Sequence, residues 1–164
     1  MEIGIIVAMT RNRVIGKDGK IPWKIKEDIL LFKGLTMNRT VIMGRKTWFS
    51  LLSVFRPLPN RNNIIISNTL EPQSGAFVCK SIDEAVAIAR RFECDAYCIG
   101  GAQLYSQMLP ISSILHISLV KGAYEGDTYF PEINYEEWEL QETVEFEEFT
   151  YKRYKRKTPN NINI

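Results

Sequence analysis

Asp28 is the residue whose type and surroundings point most directly to chemistry. Apolar residues recur at helical spacing from Lys24 to Leu35, and Asp28 falls within their stripe. Trp23 before this helix and Phe32 one turn after Asp28 could surround the carboxylate with flat rings. Such a site suits a planar amidine-like edge, because a carboxylate accepts two parallel N–H bonds while a ring packs on the heterocycle. The alternative is a solvated aspartate that stabilises the helix start. The predicted stripe consists of Ile25, Ile29, Phe32 and Leu35.

A glycine-rich loop from Gly16 to Trp23 lies between the first strand and this helix. Gly16 and Gly19 permit backbone conformations that let a loop change shape. A loop that closes over a site at the end of the strand would exclude water from a hydride transfer. Taken alone, the same segment is better interpreted as an ordinary surface connection.

Two further segments run from a strand through glycine into a helix. The first, Thr40 to Trp48, places Arg45, Lys46 and Thr47 in the opening turn of the helix, where phosphate is favoured. The second, Ala96 to Tyr105, contains paired glycines that allow a ligand to approach the backbone. A solvated cation pair and a tight structural turn are the respective alternatives. Neither segment has G-x-G-x-x-G or Walker A spacing.

The elements that must position these residues alternate between strands and helices, which favours an α/β sheet. Continuous apolar runs such as Ile64 to Ile66 indicate strands covered on both faces, the condition of a mostly parallel sheet. Predicted strands are Ile3 to Ala8, Arg39 to Met43, Asn63 to Ser67, Ala76 to Cys79, Ala96 to Ile99 and Ile114 to Val120. Predicted helices are Lys24 to Leu35, Arg45 to about Ser53, Ser81 to Arg91 and Ala102 to Leu109, the third opening on a capping box.

The end of the chain predicts two strands that pair antiparallel. An acidic stretch, Glu132 to Glu148, precedes the alternating pattern Phe149 to Tyr154, so opposite charges could face each other. No repeat or linker interrupts the pattern. We therefore expect one domain over residues 1–157 and a loose tail over residues 158–164.

Composition excludes several classes of function. A formal net charge of +2 gives no general reason to expect nucleic acid or membrane binding. Cys79, Cys94 and Cys98 are an odd set without redox or zinc spacing, and one histidine, His116, gives no ligand cluster, so we expect no metal. The absence of a signal peptide and of paired cysteines predicts the cytoplasm, and we expect a monomer.

Taken together and in order, these segments resemble the bacterial-type dihydrofolate reductases, from about Ile3 to Tyr154. Individually the motifs are modest, and their joint order carries the resemblance. They are Arg13-Val14-Ile15-Gly16, Pro22-Trp23, Asp28, Phe32, Val41 to Trp48, Leu58-Pro59-Asn60-Arg61, Ile99-Gly100-Gly101, Tyr105 and Gly126 to Pro131.

The resemblance implies a fold, a reaction and a cofactor. The implied fold is a single three-layer α/β domain, whose mostly parallel sheet of about eight strands has an antiparallel C-terminal strand and about four flanking helices. The implied reaction reduces 7,8-dihydrofolate to tetrahydrofolate for one-carbon metabolism and thymidylate synthesis. Hydride passes from NADPH to pterin C6 and a proton reaches N5. Asp28 would bind the pterin edge and promote protonation from solvent, with Trp23 helping to hold water.

The resemblance also implies site residues by position. Arg61 would hold the glutamate α-carboxylate, and Ser118 would join the hydrogen bonds of Asp28. The 2′-phosphate of NADPH would lie near Arg45, Ser67 and Asn68. The folate pocket would be lined by Ile6, Val7, Ile21, Ile29, Phe32, Leu51, Leu58, Ile99 and Tyr105. The cofactor would contact Ala8, Ile15, Gly16, Arg45, Lys46, Thr47, Ser67, Asn68, Lys80, Gly100, Gly101, Ala102, Gln103 and Leu104.

The sequence also departs from the family pattern. The stretch Phe49 to Pro57 is about three residues longer than usual, and Phe49 replaces a usual acidic residue. Ala102 stands where a third glycine is common, and Ser118 where threonine is common. Two alternatives remain at this point: an NADPH-dependent reductase of the riboflavin pathway with a similar fold, and a catalytically silent nucleotide-binding module.

Overall fold

One eight-stranded sheet organises the computed structural model, which describes residues 1–158. The predicted tail therefore falls, apart from its first residue, outside the described residues. All six predicted strands are confirmed, with ends that differ by no more than two residues. The strands are β1 (Ile3–Thr10), β2 (Val14–Gly16), β3 (Thr40–Gly44), β4 (Asn62–Ile66), β5 (Ala76–Cys79), β6 (Ala96–Cys98), β7 (Ile114–Val120), β8 (Thr128–Tyr129), β9 (Trp138–Glu145) and β10 (Phe149–Arg156). Of these, β2 and β8 pair with each other outside the eight-stranded sheet.

The strand order is β5-β4-β3-β6-β1-β7-β10-β9, and only β10 runs against the others. A short connection of three residues joins β9 to β10, and such a connection permits only antiparallel pairing. The predicted charge complementarity of this pair is present, since Arg153 on β10 forms an ion pair with Glu142 on β9 at 3.5 Å. The predicted antiparallel C-terminal strand is confirmed.

Helices cover both faces of the parallel part of the sheet. They are α1 (Lys26–Thr36), α2 (Arg45–Ser50), α3 (Ile82–Arg90) and α4 (Ala102–Met108), and short 3-10 turns follow at Ser53–Phe55, Leu109–Ile111 and Tyr135–Glu137. Ile64 and Ile65 point to opposite faces of β4 and both are fully buried. This two-sided burial is the physical reason for the continuous apolar runs, and the predicted three-layer α/β arrangement is confirmed.

The ends of two helices differ from the prediction. Ile25 has an extended backbone, so α1 begins at Lys26 rather than Lys24. Leu51 is also extended, so α2 ends at Ser50 and the predicted continuation to about Ser53 becomes a separate 3-10 turn. The third helix begins as its capping box predicts, because the Ser81 hydroxyl accepts a hydrogen bond from the Glu84 amide at 3.1 Å.

The predicted apolar stripe of α1 was wrong at one position. Leu31, Phe32 and Leu35 pack onto the apolar clusters beneath the helix, whereas Ile29 is 53% exposed. At 3.6 residues per turn, Ile29 lies about 100° around the helix from Asp28, which sits near the middle of the packed face. Asp28 is therefore directed toward the sheet more squarely than the sequence pattern indicated.

Candidate active site

Asp28 lies between helix α1 and the central strands, at the edge where the parallel strands end. The Ser118 hydroxyl on β7 donates a hydrogen bond of 2.7 Å to Oδ1 of Asp28. Ser118 is 5% exposed, and it pairs with Ala8 of β1 in the parallel register. The first turn of α1 also carries Glu27, and acidic residues at this end are favoured by the helix dipole. The predicted contact between Asp28 and Ser118 is present.

Two opposing influences act on the ionisation of Asp28. Burial raises the pKa of its carboxyl above the usual value, because the charged form loses contact with water. The hydrogen bond from Ser118 lowers the pKa, because it stabilises the charged form, and burial is the larger influence. A carboxylate with a raised pKa in a cleft is a candidate functional group.

A continuous set of contacts joins Asp28 to the paired glycines on the far side of β1. The buried Tyr105 hydroxyl on α4 donates a hydrogen bond of 2.9 Å to the carbonyl oxygen of Ile6 on β1. Burial, with contributions from Cys98 and then Asp28, raises the pKa of Tyr105 well above its usual value. A Cβ atom added to Gly100 would lie 3.5 Å from the same hydroxyl. Tyr105 therefore fixes α4 and the glycine turn relative to the strand that borders Asp28.

The two strand-glycine-helix segments form one cradle. The Gly44 amide donates to the Gly100 carbonyl at 2.9 Å, and a cis peptide bond joins Gly100 to Gly101. Gly100 has a φ of +126°, and an added Cβ there would lie 3.3 Å from Oγ1 of Thr47. A side chain would fill this space, so the geometry fits a ligand that approaches the backbone closely. Beside it, Arg45 and Lys46 are exposed cations, so the residues present fit a phosphate-bearing cofactor.

Three of the remaining predicted cofactor residues, Ser67, Asn68 and Lys80, follow the strands β4 and β5. The Ser67 amide donates to the Cys79 carbonyl at 2.9 Å, which places Ser67 beside the residue that precedes Lys80. Ligands of α/β sheets bind outside the carboxyl ends of the strands, and these residues follow β4 and β5 there. Asn68, Lys80 and Gln103 are exposed, Leu104 is buried, and Ala8, Ile15 and Ala102 are half-buried, while Gly16 is buried in β2.

Arg61 is held by two hydrogen bonds, one of them to Thr36, which was not among the predicted site residues. Its Nε donates to the Pro59 carbonyl at 2.8 Å and its Nη1 donates to Oγ1 of Thr36 at 3.1 Å. The buried Asn63 side chain fastens the preceding turn, accepting from the Leu58 amide and donating to the carbonyls of Leu58 and Arg61, each at 3.0 Å. Within residues 1–158, Arg61 forms no ion pair with a carboxylate. Its guanidinium is therefore fixed in direction and available to an anion.

The predicted folate-pocket residues divide into a packed group and an exposed group. Phe32, Leu51, Leu58 and Ile99 belong to one apolar cluster with Trp48. Ile6, Val7 and Tyr105 are buried along β1 and α4, whereas Ile21 and Ile29 are 65% and 53% exposed. The packed group is thus brought together between α1, α2 and the sheet.

The glycine-rich loop is held against a second segment of chain, an arrangement that the sequence analysis did not predict. The backbone of Lys17 and Lys20 pairs around Asp18 and Gly19, both at positive φ, as in a type I′ turn. Oδ2 of Asp127 accepts a hydrogen bond of 3.0 Å from the Asp18 amide, and Trp23 packs edge-to-face on Tyr124 at 5.3 Å. Pairing of β2 with β8 completes the contact. The loop that precedes α1 therefore has a defined conformation.

The histidine lies outside this site. His116 is 5% exposed, and its Nδ1 lies 2.7 Å from the Tyr151 hydroxyl. Burial lowers the pKa of His116 to about 4. His116 is therefore a packed residue of β7. Residues 1–158 contain no group of three metal-ligating side chains and no helix long and apolar enough to cross a membrane.

A doubly covered α/β sheet with a carboxylate, a glycine cradle and exposed cations at its carboxyl edge is typical of nucleotide-dependent enzymes. The profile of the family described as dihydrofolate reductase matches residues 2–159. The chain belongs to the dihydrofolate reductase family.

Individual relatives agree with this assignment. The dihydrofolate reductase of Haemophilus influenzae is 40% identical over 149 residues, covering 91% of this chain and 88% of that protein. The dihydrofolate reductase of Neisseria gonorrhoeae is 41% identical over 146 residues, 88% of each chain. A solved dihydrofolate reductase from Enterococcus faecalis, complexed with NADP(H) and RAB-propyl, superposes with a TM-score of 0.85 at 32% identity, covering 96% of this chain and 97% of that one.

Proposed function

We infer that this protein is an NADPH-dependent dihydrofolate reductase, which reduces 7,8-dihydrofolate to 5,6,7,8-tetrahydrofolate. The observation that carries the proposal within the chain is the Asp28–Ser118 pair beside the glycine cradle. Membership of the family supports the reaction, and the riboflavin-pathway reductase and the silent binding module are not favoured by relatives of this kind.

Asp28 is the proposed anchor of the substrate. Ser118 occupies one lone pair of Oδ1, so Oδ2 and the rest of Oδ1 can accept two parallel N–H bonds from a 2-amino-pyrimidine edge. Phe32 and Leu51, from the packed cluster, would contact the flat faces and tail of such a ligand. Arg61, oriented by Thr36, would bind the carboxylate at the far end of the substrate.

Proton supply follows from the environment of Asp28. Burial holds the pKa of the carboxyl above its usual range, so a proton is retained near the pterin more readily than by an exposed aspartate. We propose that this electrostatic environment favours protonation at N5, with water as the immediate donor. Trp23, fixed on Tyr124, would help to position that water.

NADPH would supply the hydride when bound. The backbone leaves room for close approach of the cofactor at Gly44, Thr47, Gly100 and Gly101. Its phosphates would be contacted by Arg45 and Lys46. Ser67, Asn68 and Lys80 lie near the ends of β4 and β5 and would contribute beside them.

The direct test follows the absorbance of NADPH in a mixture of pure protein and dihydrofolate. We expect turnover that Asp28→Asn reduces at least about 100-fold, the scale of a lost acid–base group. Asp83→Asn, which removes an exposed acid from the first turn of α3, is the matched control and should retain wild-type activity. Absence of wild-type turnover across the neutral pH range would contradict the proposal.

We also propose that the protein acts as a monomer in the cytoplasm, as one domain over residues 1–157. Three free cysteines support a reducing compartment. Sedimentation at micromolar concentration would test the oligomeric state, and a dimer would contradict it.

A further inference from the structure

The Phe49 ring contacts two arginines that come from different parts of the chain. The Arg45 guanidinium carbon is 5.6 Å from the centroid of the Phe49 ring, and that of Arg56 is 5.3 Å from it. Arg45 and Phe49 are four residues apart on α2 and share one side of that helix, whereas Arg56 follows the 3-10 turn in the longer loop. The aromatic ring therefore connects the helix to the loop.

Both contacts have the geometry of a cation–π interaction, which operates within about 6 Å of a ring centroid. Arg45 and Arg56 form no ion pair with a carboxylate within residues 1–158. Nε of Arg56 is buried without a hydrogen-bond partner there. The two positive charges, at most about 11 Å apart, are thus oriented by a neutral ring and are not neutralised.

We propose that Phe49 is a positioning residue that holds Arg45 and Arg56 as one cationic pair for oxyanions, and that it thereby sets the preference for the phosphorylated cofactor. This inference depends on the proposed role of Arg45 toward NADPH. An acidic side chain at position 49 could also hold the guanidinium groups, but its negative charge would cancel one of their two positive charges. An aromatic side chain orients them and leaves the charge available to an anion.

The test compares three substitutions at position 49, with direct binding of NADPH and NADH measured by quenching of tryptophan fluorescence. Phe49→Leu loses the ring and should weaken NADPH binding about two- to fivefold while NADH binding changes little. Phe49→Glu should cause a larger loss and a weaker dependence of NADPH binding on salt concentration. Phe49→Trp should retain the wild-type preference.

Phe77→Leu is the matched control, because Phe77 is 46% exposed, close to the 45% of Phe49, and packs edge-to-face on Phe92. It should leave the ratio of the NADPH and NADH dissociation constants unchanged. Thermal melting of every variant separates loss of folding from loss of orientation. The proposal is overturned if Phe49→Leu and Phe49→Glu bind NADPH and NADH in the wild-type ratio.

The anion that meets Arg56 is identified by Arg56→Gln. Weaker binding of NADPH alone assigns a cofactor phosphate, and a raised KM for dihydrofolate but not for dihydropteroate, which lacks the glutamate, assigns a substrate carboxylate. If Arg56→Gln changes neither the binding of NADPH nor the KM for dihydrofolate, the paired role of Arg56 is contradicted. Failure of the wild-type protein to reduce dihydrofolate would overturn the proposed function, whereas the binding ratios test Phe49 independently of turnover.

Discussion

At the scale of single residues, the site depends on how the fold sets the charge of Asp28. The carboxyl is buried on the packed face of α1, and burial raises its pKa while Ser118 partly offsets the rise. A group whose pKa is raised by folding binds protons more tightly in the native state than in the unfolded chain. Ionised Asp28 therefore costs stability at neutral pH, and this cost disappears as the pH falls through its native pKa.

Asp28→Asn should consequently separate function from stability. Activity should fall at least about 100-fold and recover in part at low pH, where solvent supplies the proton more readily. The melting temperature at pH 7 should rise, because the variant removes a buried charge and keeps an oxygen that accepts from Ser118. Calorimetry at pH 7 and at pH 4 checks the sign. A lower melting temperature at pH 7 would show that the charge is stabilising.

Ser118→Ala should move the pH dependence of the reaction. Loss of its hydrogen bond leaves burial to raise the pKa of Asp28 further, so the midpoint in the profile of kcat/KM that reports Asp28 should move to higher pH. A hydrogen bond to a charged group contributes about 1.5–3 kcal/mol, so kcat/KM should fall roughly tenfold or more. Ser118→Thr keeps the hydroxyl and should retain the wild-type profile. Identical profiles for the alanine and threonine variants would exclude this role.

At the scale of elements, the glycine-rich loop from Gly16 to Trp23 is fixed by the segment from Gly122 to Tyr129. The Asp127 amide donates to the Gly16 carbonyl and its carboxylate accepts from the Asp18 amide, each at 3.0 Å. The hydrogen bond from the Asp18 amide, together with one from the Thr128 hydroxyl, lowers the pKa of the Asp127 carboxyl, so it remains ionised in the neutral range. An added Cβ at Gly126 would lie 2.6 Å from the Gly16 carbonyl, so this close approach requires glycine.

Asp127→Ala should loosen the loop without unfolding the sheet. Amide hydrogen exchange between Lys17 and Trp23 should accelerate, because the Asp18 amide loses its acceptor, while exchange in β1 and β7 should not change. We expect a several-fold lower kcat, since the loop carries Trp23, which is proposed to position the water that donates the proton. Asp127→Asn retains a side-chain oxygen and should be intermediate. Unchanged loop exchange in the alanine variant would show that the loop is held by its other contacts, such as β2–β8 pairing and the packing of Trp23 on Tyr124.

At the scale of the whole molecule, His116 makes the free energy of unfolding depend on pH in the acidic range. The native pKa of His116 is about 4 against 6.5 for the free group, because it is buried and Arg153 and Arg39 lie near it. Below pH 6.5 the unfolded chain binds a proton that the native state does not. The free energy of unfolding therefore decreases as the pH is lowered from 6.5 to about 4. One pKa unit corresponds to about 1.4 kcal/mol, so the total loss from this group is about 3 kcal/mol.

His116→Gln should remove most of that dependence. The amide that replaces the imidazole would not titrate, and it can still meet the Tyr151 hydroxyl, so folding should persist. Urea unfolding at pH 4.5 and at pH 7 should show a smaller difference between the two pH values for the variant than for the wild type. Equal differences would assign the acid sensitivity to other groups.

The sequence was most informative where burial is two-sided or a motif is contiguous. Ile64 and Ile65 predicted a covered parallel strand, and Ser81 to Glu84 predicted a helix start. Val14 to Gly16 and Thr128 to Tyr129 were missed because strands of two or three residues are too short to show a period. Asn63 and Thr36 were missed because their roles arise from contacts with a turn distant in space. An asparagine at the start of the apolar run Ile64 to Ile66 was the available signal.

The position of β1 in the middle of the sheet has a consequence for synthesis on the ribosome. β1 is made first, but its partners are β6 and β7, and the β1–β7 register ends at Thr10 with Val120. By contrast, β3, β4 and β5 pair with one another over residues 40–79 and can assemble early. The emerging chain therefore carries β1 without any strand partner until β6, which ends at Cys98, leaves the exit tunnel, and the longer pairing with β7 must wait for Val120. Until its partners emerge, β1 offers chaperones an apolar binding segment.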